Sequence, residues 1–298
     1  MDAEAAVRAP GTLRDLLALL RPREWVKSGF VLAALFFTPE AMGWHSLETV
    51  LAVAALFALA SSAVYVVNDV ADREADRQHP RKRLRPVASG RVGVGAALAL
   101  GGLLAAAALA GAWAMDAGVV RFVGTYLGLN LLYCLWLKHV SILDVMIIAS
   151  GFVLRLLAGA AVIGATPSPW IVVMTGLLAL FLALAKRRDD VVLTLDATHR
   201  RSLDGYNREF LDAAIVIAVG TTLVGYILYC LEPSVIADVG TDKVYYTVPF
   251  VLAGLLRYLQ ITFVEKRSGS PTAIVTSDPM ILLALAGWVG MFGYLLYG

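Results

Sequence analysis

The chain has 298 residues, of which 59% are hydrophobic and only 16% are charged. This apolar share exceeds the roughly 45–50% of soluble domains, and with a mean hydropathy of +0.74 it excludes an ordinary soluble protein. The formal net charge of +2 gives no overall basic character of the kind that binds nucleic acid, so we expect no nucleic-acid partner. The composition predicts a polytopic membrane protein whose partners include membrane lipids.

A short run near the N-terminus has leucines at helical spacing beside charged residues. They are Leu13, Leu16, Leu17 and Leu20. This pattern is typical of an amphipathic helix that lies on a membrane surface. Because Pro22 follows the run, we interpret 1–22 as a cytoplasmic segment that contains one short interfacial helix.

Nine apolar runs follow, each of roughly the 20 residues that a helix needs to cross a bilayer. They cover about 25–42, 47–67, 93–114, 118–137, 142–164, 169–185, 211–231, 244–263 and 279–297. The sequence therefore predicts an all-α fold with nine transmembrane helices.

The distribution of Lys and Arg sets the expected orientation. All but four of them fall in the N-terminal segment and in alternate loops, and the exceptions are Arg121, Arg155, Lys243 and Arg257. Cytoplasmic loops carry the excess of basic residues. We therefore expect a multi-pass protein of the cell (inner) membrane, with the N-terminus and the charged loops in the cytoplasm and the C-terminus outside.

The second apolar run leads into a polar motif at the membrane edge. Asn68, Asp72 and Asp76 recur every four residues, so they share one face if the helix continues through them. Oxygen ligands at this spacing suit Mg²⁺, whose shell diphosphate oxygens and water would complete. We predict that these three residues are catalytic and bind the metal. The alternative is a solvated helix end with Asp–Arg pairs.

A basic run follows the motif at Lys82, Arg83 and Arg85. Pro80 should end the helix and turn the chain, so that these side chains fold back toward the aspartates. We predict phosphate binding for residues of this run. The alternative is that they only set the membrane topology and attract anionic lipids.

The second charged loop, 186–210, begins with Lys186 and Arg187 and includes Tyr206. No acidic residue in it has an acidic partner four residues on, so we expect no second Asp-x-x-x-Asp metal site there. We predict that these three residues bind substrate. The alternative is a solvated loop that orients the protein in the membrane.

Arg155 lies deep in an apolar run, flanked by Gly151 and Gly159 at four-residue spacing. A charge there costs about 2.5 kcal/mol or more, so it needs a partner or a wet cavity. We predict that it binds an anionic group, in a groove that the glycines leave. The alternative is a structural pair with Asp144, which lies about 17 Å away along the helix.

Four further positions are candidates for substrate binding: Asn130, Tyr133, Lys138 and Lys27. Asn130 and Tyr133 share a polar face with Tyr126, leading to Lys138, and this face either lines a cavity or forms hydrogen bonds between helices. Lys27 lies at the inner edge of the first run, where it either contacts substrate or anchors the helix at the interface.

The sequence resembles the UbiA-type intramembrane prenyltransferase superfamily. The resemblance rests on Asn68-Asp-x-x-Asp72-x-x-x-Asp76, on the nine apolar runs and on Gly151-x-x-x-Arg155. It implies a single all-α domain over 1–298, with a cavity that opens to the cytoplasm and Mg²⁺-diphosphate at the aspartates. Members of the superfamily that act on aromatic substrates have a second Asp-x-x-x-Asp in the later loop, and this sequence lacks it.

The sequence is more similar to the branch that transfers phosphoribose to polyprenyl phosphates. The matching stretches run from Leu20 to Lys27, from Asn68 to Pro86, from Leu137 to His139, through Lys186-Arg187, and from Arg257 to Pro279. The branch implies 5-phosphoribosyl diphosphate as donor and a polyprenyl (decaprenyl-type) phosphate as acceptor. It implies that basic residues near Arg83, Arg85, Lys186 and Arg187 hold the phosphates of the donor.

Two other functions stay open at this point. A prenyltransferase with a polyprenyl diphosphate donor and a small aromatic acceptor would use the same first motif, although the missing second acidic pair argues against it. An anion transporter would account for Arg155, but nearly all other charge lies on one side of the membrane. Whether the protein is a monomer or a homo-oligomer is also open.

Overall fold

The computed structural model describes residues 12–80, 82–194 and 205–297, and in these ranges every regular element is a helix. The all-α fold expected from the sequence is thereby confirmed. The described residues form two compact units. Unit 1 contains 12–36, 41–80, 82–137 and 154–165, and unit 2 contains 37–40, 138–153, 166–194 and 205–297. The single domain expected over 1–298 stays a prediction.

The N-terminal half of the chain contains seven helices. They are α1 (Leu13–Leu20), α2 (Ala33–Phe36), α3 (Trp44–Ala71), α4 (Arg73–Gln78), α5 (Val94–Met115), α6 (Ala117–Leu135) and α7 (Leu143–Val162). The first half of α7 belongs to unit 2 and its second half to unit 1. Short 3₁₀ helices lie at Pro22–Leu32, Pro39–Ala41, Lys82–Leu84 and Leu137–His139.

Helix α3 is the centre of unit 1. It packs against α5, α6 and the 3₁₀ helix Pro22–Leu32. Its apolar side chains, Phe57 among them, are buried with residues of α6 in one core cluster. The rings of Phe57 and Tyr126 meet edge to face with 5.4 Å between their centroids. Since α3 is the most buried spanning helix, it provides a rigid support for the polar residues at its C-terminal end.

The remaining helices belong to unit 2. They are α8 (Pro169–Thr194), α9 (Arg208–Leu231), α10 (Pro233–Val239), α11 (Val248–Phe263), α12 (Pro271–Ser277) and α13 (Pro279–Tyr297), with a 3₁₀ helix at Asp242–Thr247. Residues of α8, α9 and α11 share one core cluster. Phe181 of α8 and Tyr258 of α11 stack edge to face in it, with 5.1 Å between the ring centroids.

Eight segments in the described ranges are long and apolar enough to span a membrane: α3, α5, α6, α7, α8, α9, α11 with the 3₁₀ turn before it, and α13. The remaining predicted run, which is the first in the chain at about 25–42, instead contains a long 3₁₀ helix followed by α2. A 3₁₀ helix rises about 2.0 Å per residue, so the two together extend roughly 28 Å, close to the ~30 Å of a bilayer core. The number of crossings stays a prediction.

The short N-terminal helix is present as α1. Thr12 accepts a hydrogen bond from the Asp15 backbone, and the Asp15 side chain accepts one from Thr12 N–H, which forms a capping box. Leu19 is buried, whereas Leu13 and Leu17 are 73% and 47% exposed. The exposed leucines fit contact with lipid, and a position on the membrane surface stays a prediction for α1.

Gly159 of α7 marks the tightest helix contact in unit 1. A Cβ at this position would collide with the carbonyl oxygen of Val31. We expect Gly159→Ala to lower the melting temperature in detergent by several degrees, because the backbone has to shift at a cost of about 1–3 kcal/mol. Gly128→Ala is the matched control, since a Cβ there meets nothing within 4 Å. Equal melting temperatures for both variants would contradict the prediction.

Candidate functional site

The acidic motif of unit 1 lies at a break between two helices. Helix α3 ends at Ala71, Asp72 has φ −90° and ψ 2°, and α4 begins at Arg73. Asn68 Nδ2 donates a hydrogen bond of 3.0 Å to Asp72 Oδ2. The expected helix through Asp76 is therefore interrupted at Asp72, but the Asp72 N–H still donates to the Asn68 carbonyl oxygen at 2.9 Å and the Asp76 N–H to the Asp72 carbonyl oxygen at 2.8 Å. That the three residues share one face stays a prediction.

Asp76 takes part in a buried ion network that also includes Asp69. Both carboxylates are 2% exposed. Arg85 Nη1 lies 2.6 Å from Asp76 Oδ2 and 3.1 Å from Asp69 Oδ1, and Arg21 also binds Asp69. Two arginines thus offset two buried carboxylates, as buried charges require.

The network confirms that the chain turns back after Pro80, because Arg85 reaches Asp76. Sequence reasoning missed Asp69 and Arg21 as members. Asp69 lies seven residues before Asp76, which is two helical turns, and this spacing was a signal for a shared contact. Arg21 has a left-handed backbone with φ 49° and lies 4.7 Å over the Tyr65 ring. The sequence carries no signal for that contact.

The donor set of the motif fits a hard divalent cation, because carboxylate and amide oxygens are the ligands that Mg²⁺ prefers. Among the described residues, no three His, Cys, Asp or Glu side chains converge on one position that could hold a metal ion. A cation at Asn68, Asp72 and Asp76 would therefore take further oxygens from substrate and water. Its binding there stays a prediction.

The basic run beside the motif is only partly directed at the carboxylates. Lys82 lies in a short 3₁₀ helix and its backbone N–H donates to His79 Nδ1 at 3.3 Å. Arg83 is exposed, whereas Arg85 is held in the ion network. Arg81 lies outside the described residues. Phosphate binding by Lys82, Arg83 and Arg85 stays a prediction.

Arg155 is 4% exposed in the interior of unit 1. Its Nη2 donates a 3.1 Å hydrogen bond to the hydroxyl of Tyr126. The guanidinium carbon lies 4.6 Å from the centroid of the Tyr126 ring and 5.4 Å from that of Phe57. Aromatic faces attract a desolvated cation by about 2 kcal/mol. The groove expected at Gly159 is occupied by the backbone of Val31.

The other candidates of unit 1 have local contacts. Asn130 Nδ2 donates to the Tyr126 carbonyl oxygen at 2.8 Å, one turn earlier on α6. Tyr133 is half-buried on the same helix. Lys27 forms a 2.6 Å ion pair with Glu24 in the first 3₁₀ helix. The roles of Asn130, Tyr133 and Lys27 in binding substrate stay predictions.

The charged residues at 186–190 belong to the end of α8 and not to a loop, because the helix continues to Thr194. Arg188 is 1% exposed. It donates to Asp212 of α9 and, at 2.9 Å, to the carbonyl oxygen of Thr262. Arg188 therefore ties α8 to both α9 and α11.

Its neighbour Asp189 ties α8 to the segment after α11. Its carboxylate lies against the backbone of Gly269, where a Cβ would collide with Asp189 Oδ2. The Ser268 hydroxyl donates to the Ala185 carbonyl oxygen at 2.8 Å. Arg188 and Asp189, which follow the predicted substrate residues Lys186 and Arg187, thus both contact neighbouring segments of unit 2.

Arg187 and Tyr206 meet at Asp144. Arg187 Nη2 lies 2.7 Å from Asp144 Oδ2, and the Tyr206 hydroxyl donates to Asp144 Oδ1 at 2.5 Å. Burial and the adjacent carboxylate raise the pKa of Tyr206 above its usual range. Lys186 is exposed, and Lys138 lies half-buried in the 3₁₀ helix before α7. Residues 195–204, with Arg200 and Arg201, lie outside the described part of the chain.

Arg257, which lies inside an apolar run of the sequence, forms ion pairs. Its Nη2 lies 2.8 Å from Asp278 Oδ2 and its Nη1 lies 2.6 Å from Glu265 Oε1. The Arg257 guanidinium lowers the pKa of Asp278 to about 2. Asp278 Oδ1 also caps α13 by accepting the N–H groups of Met280 and Ile281, each at 3.2 Å.

Comparisons with known proteins identify the family to which the chain belongs. A model of the UbiA prenyltransferase family matches residues 29–282. Decaprenyl-phosphate phosphoribosyltransferase of Mycolicibacterium smegmatis is 32% identical, over 99% of this chain and 97% of that protein. The enzyme of the same name from Corynebacterium glutamicum is 33% identical, over 94% of this chain and 86% of that one.

Among solved structures, a UbiA homolog from Archaeoglobus fulgidus bound to DMAPP and Mg²⁺ has a similar fold. The TM-score is 0.69 at 19% identity, and the match covers 95% of this chain and 99% of that one. The chain thus belongs to the UbiA prenyltransferase family and is a multi-pass membrane enzyme of it. The resemblance found in the sequence is confirmed.

The Asp278–Arg257 pair predicts how stability depends on pH. Because the folded pKa of Asp278 lies below its unfolded value, the stabilisation is present above about pH 4 and is lost as the pH falls toward 2. Asp278→Asn keeps a capping side chain but removes the charge. We expect this variant to melt below the wild type at pH 7 and at the same temperature near pH 2. A difference in melting temperature between the variant and the wild type that does not change with pH would contradict the stabilising role of the Asp278–Arg257 ion pair.

Proposed function

We propose that this protein transfers 5-phosphoribose from 5-phosphoribosyl diphosphate to a polyprenyl phosphate of the decaprenyl type, and releases diphosphate. The observation that carries the proposal is the likeness to two decaprenyl-phosphate phosphoribosyltransferases over almost the whole chain. The end of α8 supports it, since residues 186–190 begin with Lys186, Arg187 and Arg188 and contain no Asp-x-x-x-Asp, the second motif that the superfamily resemblance implies for members acting on aromatic substrates. The end of α8 offers no such acidic pair, so the proposal places the metal at Asn68, Asp72 and Asp76.

The residues at the end of α3 suit the leaving group of this reaction. A bound Mg²⁺ would neutralise charge that develops on the diphosphate. Asp72 and Asp76 would hold that cation, with Asn68 fixing the Asp72 carboxylate through the 3.0 Å hydrogen bond. Arg85 already lies 2.6 Å from Asp76, so its guanidinium is close to where phosphate oxygens would bind. Lys82 and Arg83 supply further donors in the same segment.

The acceptor needs little activation, because a polyprenyl phosphate is already an anion at neutral pH. The task of the protein is then to bind this anion near the membrane. Arg155 is a buried cation on a spanning helix of unit 1, and Lys27 lies in the same unit. We assign the lipid phosphate to these two residues, and the cavity-lining role to Asn130 and Tyr133. Lys138, which lies in unit 2, stays a predicted substrate contact. In unit 2, Lys186 and Arg187 contact phosphates of the donor.

We further propose that the protein lies in the cell membrane with its N-terminus and charged segments in the cytoplasm. Basic residues concentrate on one set of connections between the spanning helices, which favours that side as the cytoplasmic one. The proposed donor is water-soluble and the proposed acceptor is a lipid. Polar residues at the membrane edge are therefore suitably placed for a reaction between the two.

The assay that tests the function uses purified protein in detergent with Mg²⁺, labelled 5-phosphoribosyl diphosphate and a polyprenyl phosphate. We expect the label to enter the organic phase and EDTA to abolish this transfer. Asp72→Asn should lower the rate by at least about a hundredfold, since outer partners of metal ligands alone are worth about 10–100-fold. Glu74→Gln is the matched control, because Glu74 is exposed and pairs with Arg73 and Arg77.

Two results would count against this proposal. Full activity of Asp72→Asn would remove the metal assignment. Folded wild-type protein that does not transfer phosphoribose, but does transfer the prenyl group of a labelled polyprenyl diphosphate to a small aromatic acceptor, would establish the alternative donor.

Arg155 generates a separate prediction about the acceptor. Arg155→Met should raise the KM for polyprenyl phosphate by about tenfold to a hundredfold, because a hydrogen bond to a charged group is worth about 1.5–3 kcal/mol. The KM for the donor should stay within about twofold. Arg121→Met, at an exposed position of α6, should leave both KM values unchanged. A rise confined to the donor KM would contradict the assignment of Arg155.

A further inference from the structure

A buried polar network at the end of α8 connects three segments of unit 2. Asp144, at the start of α7, is fully buried. One of its carboxylate oxygens accepts the Tyr206 hydroxyl at 2.5 Å, and the other lies 2.7 Å from Arg187 Nη2. The network thus joins α7, α8 and the segment just before α9.

Two carboxylates fix the guanidinium of Arg187. Besides the contact with Asp144, its Nη1 donates to Asp190 Oδ2 at 3.1 Å, and the Arg187 side chain is only 12% exposed. A free arginine side chain carries about 2 kcal/mol of rotamer entropy. Contacts at both terminal nitrogens hold the Arg187 side chain in one rotamer. Its rotamer entropy is therefore already lost on folding, and binding of an anionic ligand does not have to offset it.

Tyr206 in turn fixes Asp144 and the segment before α7. Its hydroxyl accepts the backbone N–H of Ile142 at 2.6 Å. Ile142 has φ 72°, a left-handed conformation that costs a β-branched residue roughly 1–2 kcal/mol or more. A Cβ at Gly205 would collide with the Ser141 side chain, so the two segments pack in direct contact. The tyrosine hydroxyl holds this strained turn in place.

The hydroxyl of Tyr206 is poorly suited to bind a phosphate itself. A tyrosine has a single O–H donor, and here it is directed at Asp144. The hydroxyl therefore has no second hydrogen to donate to a phosphate, whereas each terminal nitrogen of Arg187 carries two. A direct contact between Tyr206 and the donor, which the sequence suggested, is therefore less consistent with the geometry than an action through Arg187.

We propose that Asp144 and Tyr206 are positioning residues, which hold the Arg187 guanidinium in the orientation that binds a phosphate group of the donor. This proposal rests on the proposed function in so far as it names the donor. Its physical content is narrower: the affinity of unit 2 for a phosphate or diphosphate anion depends on the Tyr206–Asp144–Arg187 contacts.

The first test compares Tyr206→Phe with Tyr226→Phe in the full-length protein. Tyr226 is the matched control, because it is also a buried tyrosine of unit 2, with its hydroxyl 2.6 Å from Thr247 Oγ1 and 2.6 Å from Trp288 Nε1. Two quantities are measured: the KM for 5-phosphoribosyl diphosphate, and the rise in melting temperature that inorganic diphosphate causes without the lipid.

We expect Tyr206→Phe to raise the donor KM by about tenfold, as outer-shell partners do, with kcat and the lipid KM close to those of Tyr226→Phe. The rise in melting temperature with diphosphate should shrink in Tyr206→Phe alone. Equal donor KM and equal response to diphosphate in the two variants would overturn the proposal. A wild-type protein whose melting temperature does not respond to diphosphate would overturn it as well.

The second variant is Asp144→Asn, which tests the positioning role if Tyr206→Phe does not fold. Removing a nearby negative charge should by Coulomb attraction alone strengthen anion binding, whereas loss of the positioning contact should weaken it. We expect weaker binding of diphosphate, and stronger binding would overturn the proposal. If wild-type protein transfers no phosphoribose while these differences in diphosphate binding persist, the proposed function fails and the positioning role stands.

Discussion

A charged side chain among apolar helices is costly unless it has a partner, and this cost governs how both units are built. In unit 1, Asp69 and Asp76 are buried together with Arg85 and Arg21. In unit 2, Arg188 is almost fully buried against Asp212. Breaking such a pair leaves an uncompensated charge at a cost of about 3–5 kcal/mol. The charged ends of the spanning helices are therefore held in place by one another.

The residues on the two sides of the helix break at Asp72 meet the same constraint. Asp76, on α4, shares Arg85 with Asp69, which lies near the end of α3. The chain thus presents Asn68 and Asp72 as one hydrogen-bonded pair and Asp76 within an ion network. This division gives the carboxylates of the motif different surroundings and, under the proposed function, different tasks in holding the diphosphate.

Under the proposed function, the end of α8 combines structural residues and a phosphate-binding residue within five positions. Arg188 and Asp189 bind neighbouring segments of unit 2, while Arg187 is held by Asp144 and Asp190. Successive residues of a helix point about 100° apart, so adjacent side chains serve different neighbours. A rigid helix end of this kind is a suitable base for a side chain that has to meet a phosphate in one orientation.

The sequence by itself determined the all-α membrane fold, the family and the candidate residues, because hydrophobic periodicity and the motif at 68–76 are local properties of the chain. The turn that brings Arg85 to Asp76 also followed from the sequence, since proline ends a helix. Only the tertiary structure decided that Arg21 joins this network through Asp69, that Arg155 lies on aromatic rings and that Asp144 pairs with Arg187. These contacts join residues far apart in the chain, and the cost of burying each charge selects its partner by position in space, which no spacing in the sequence encodes.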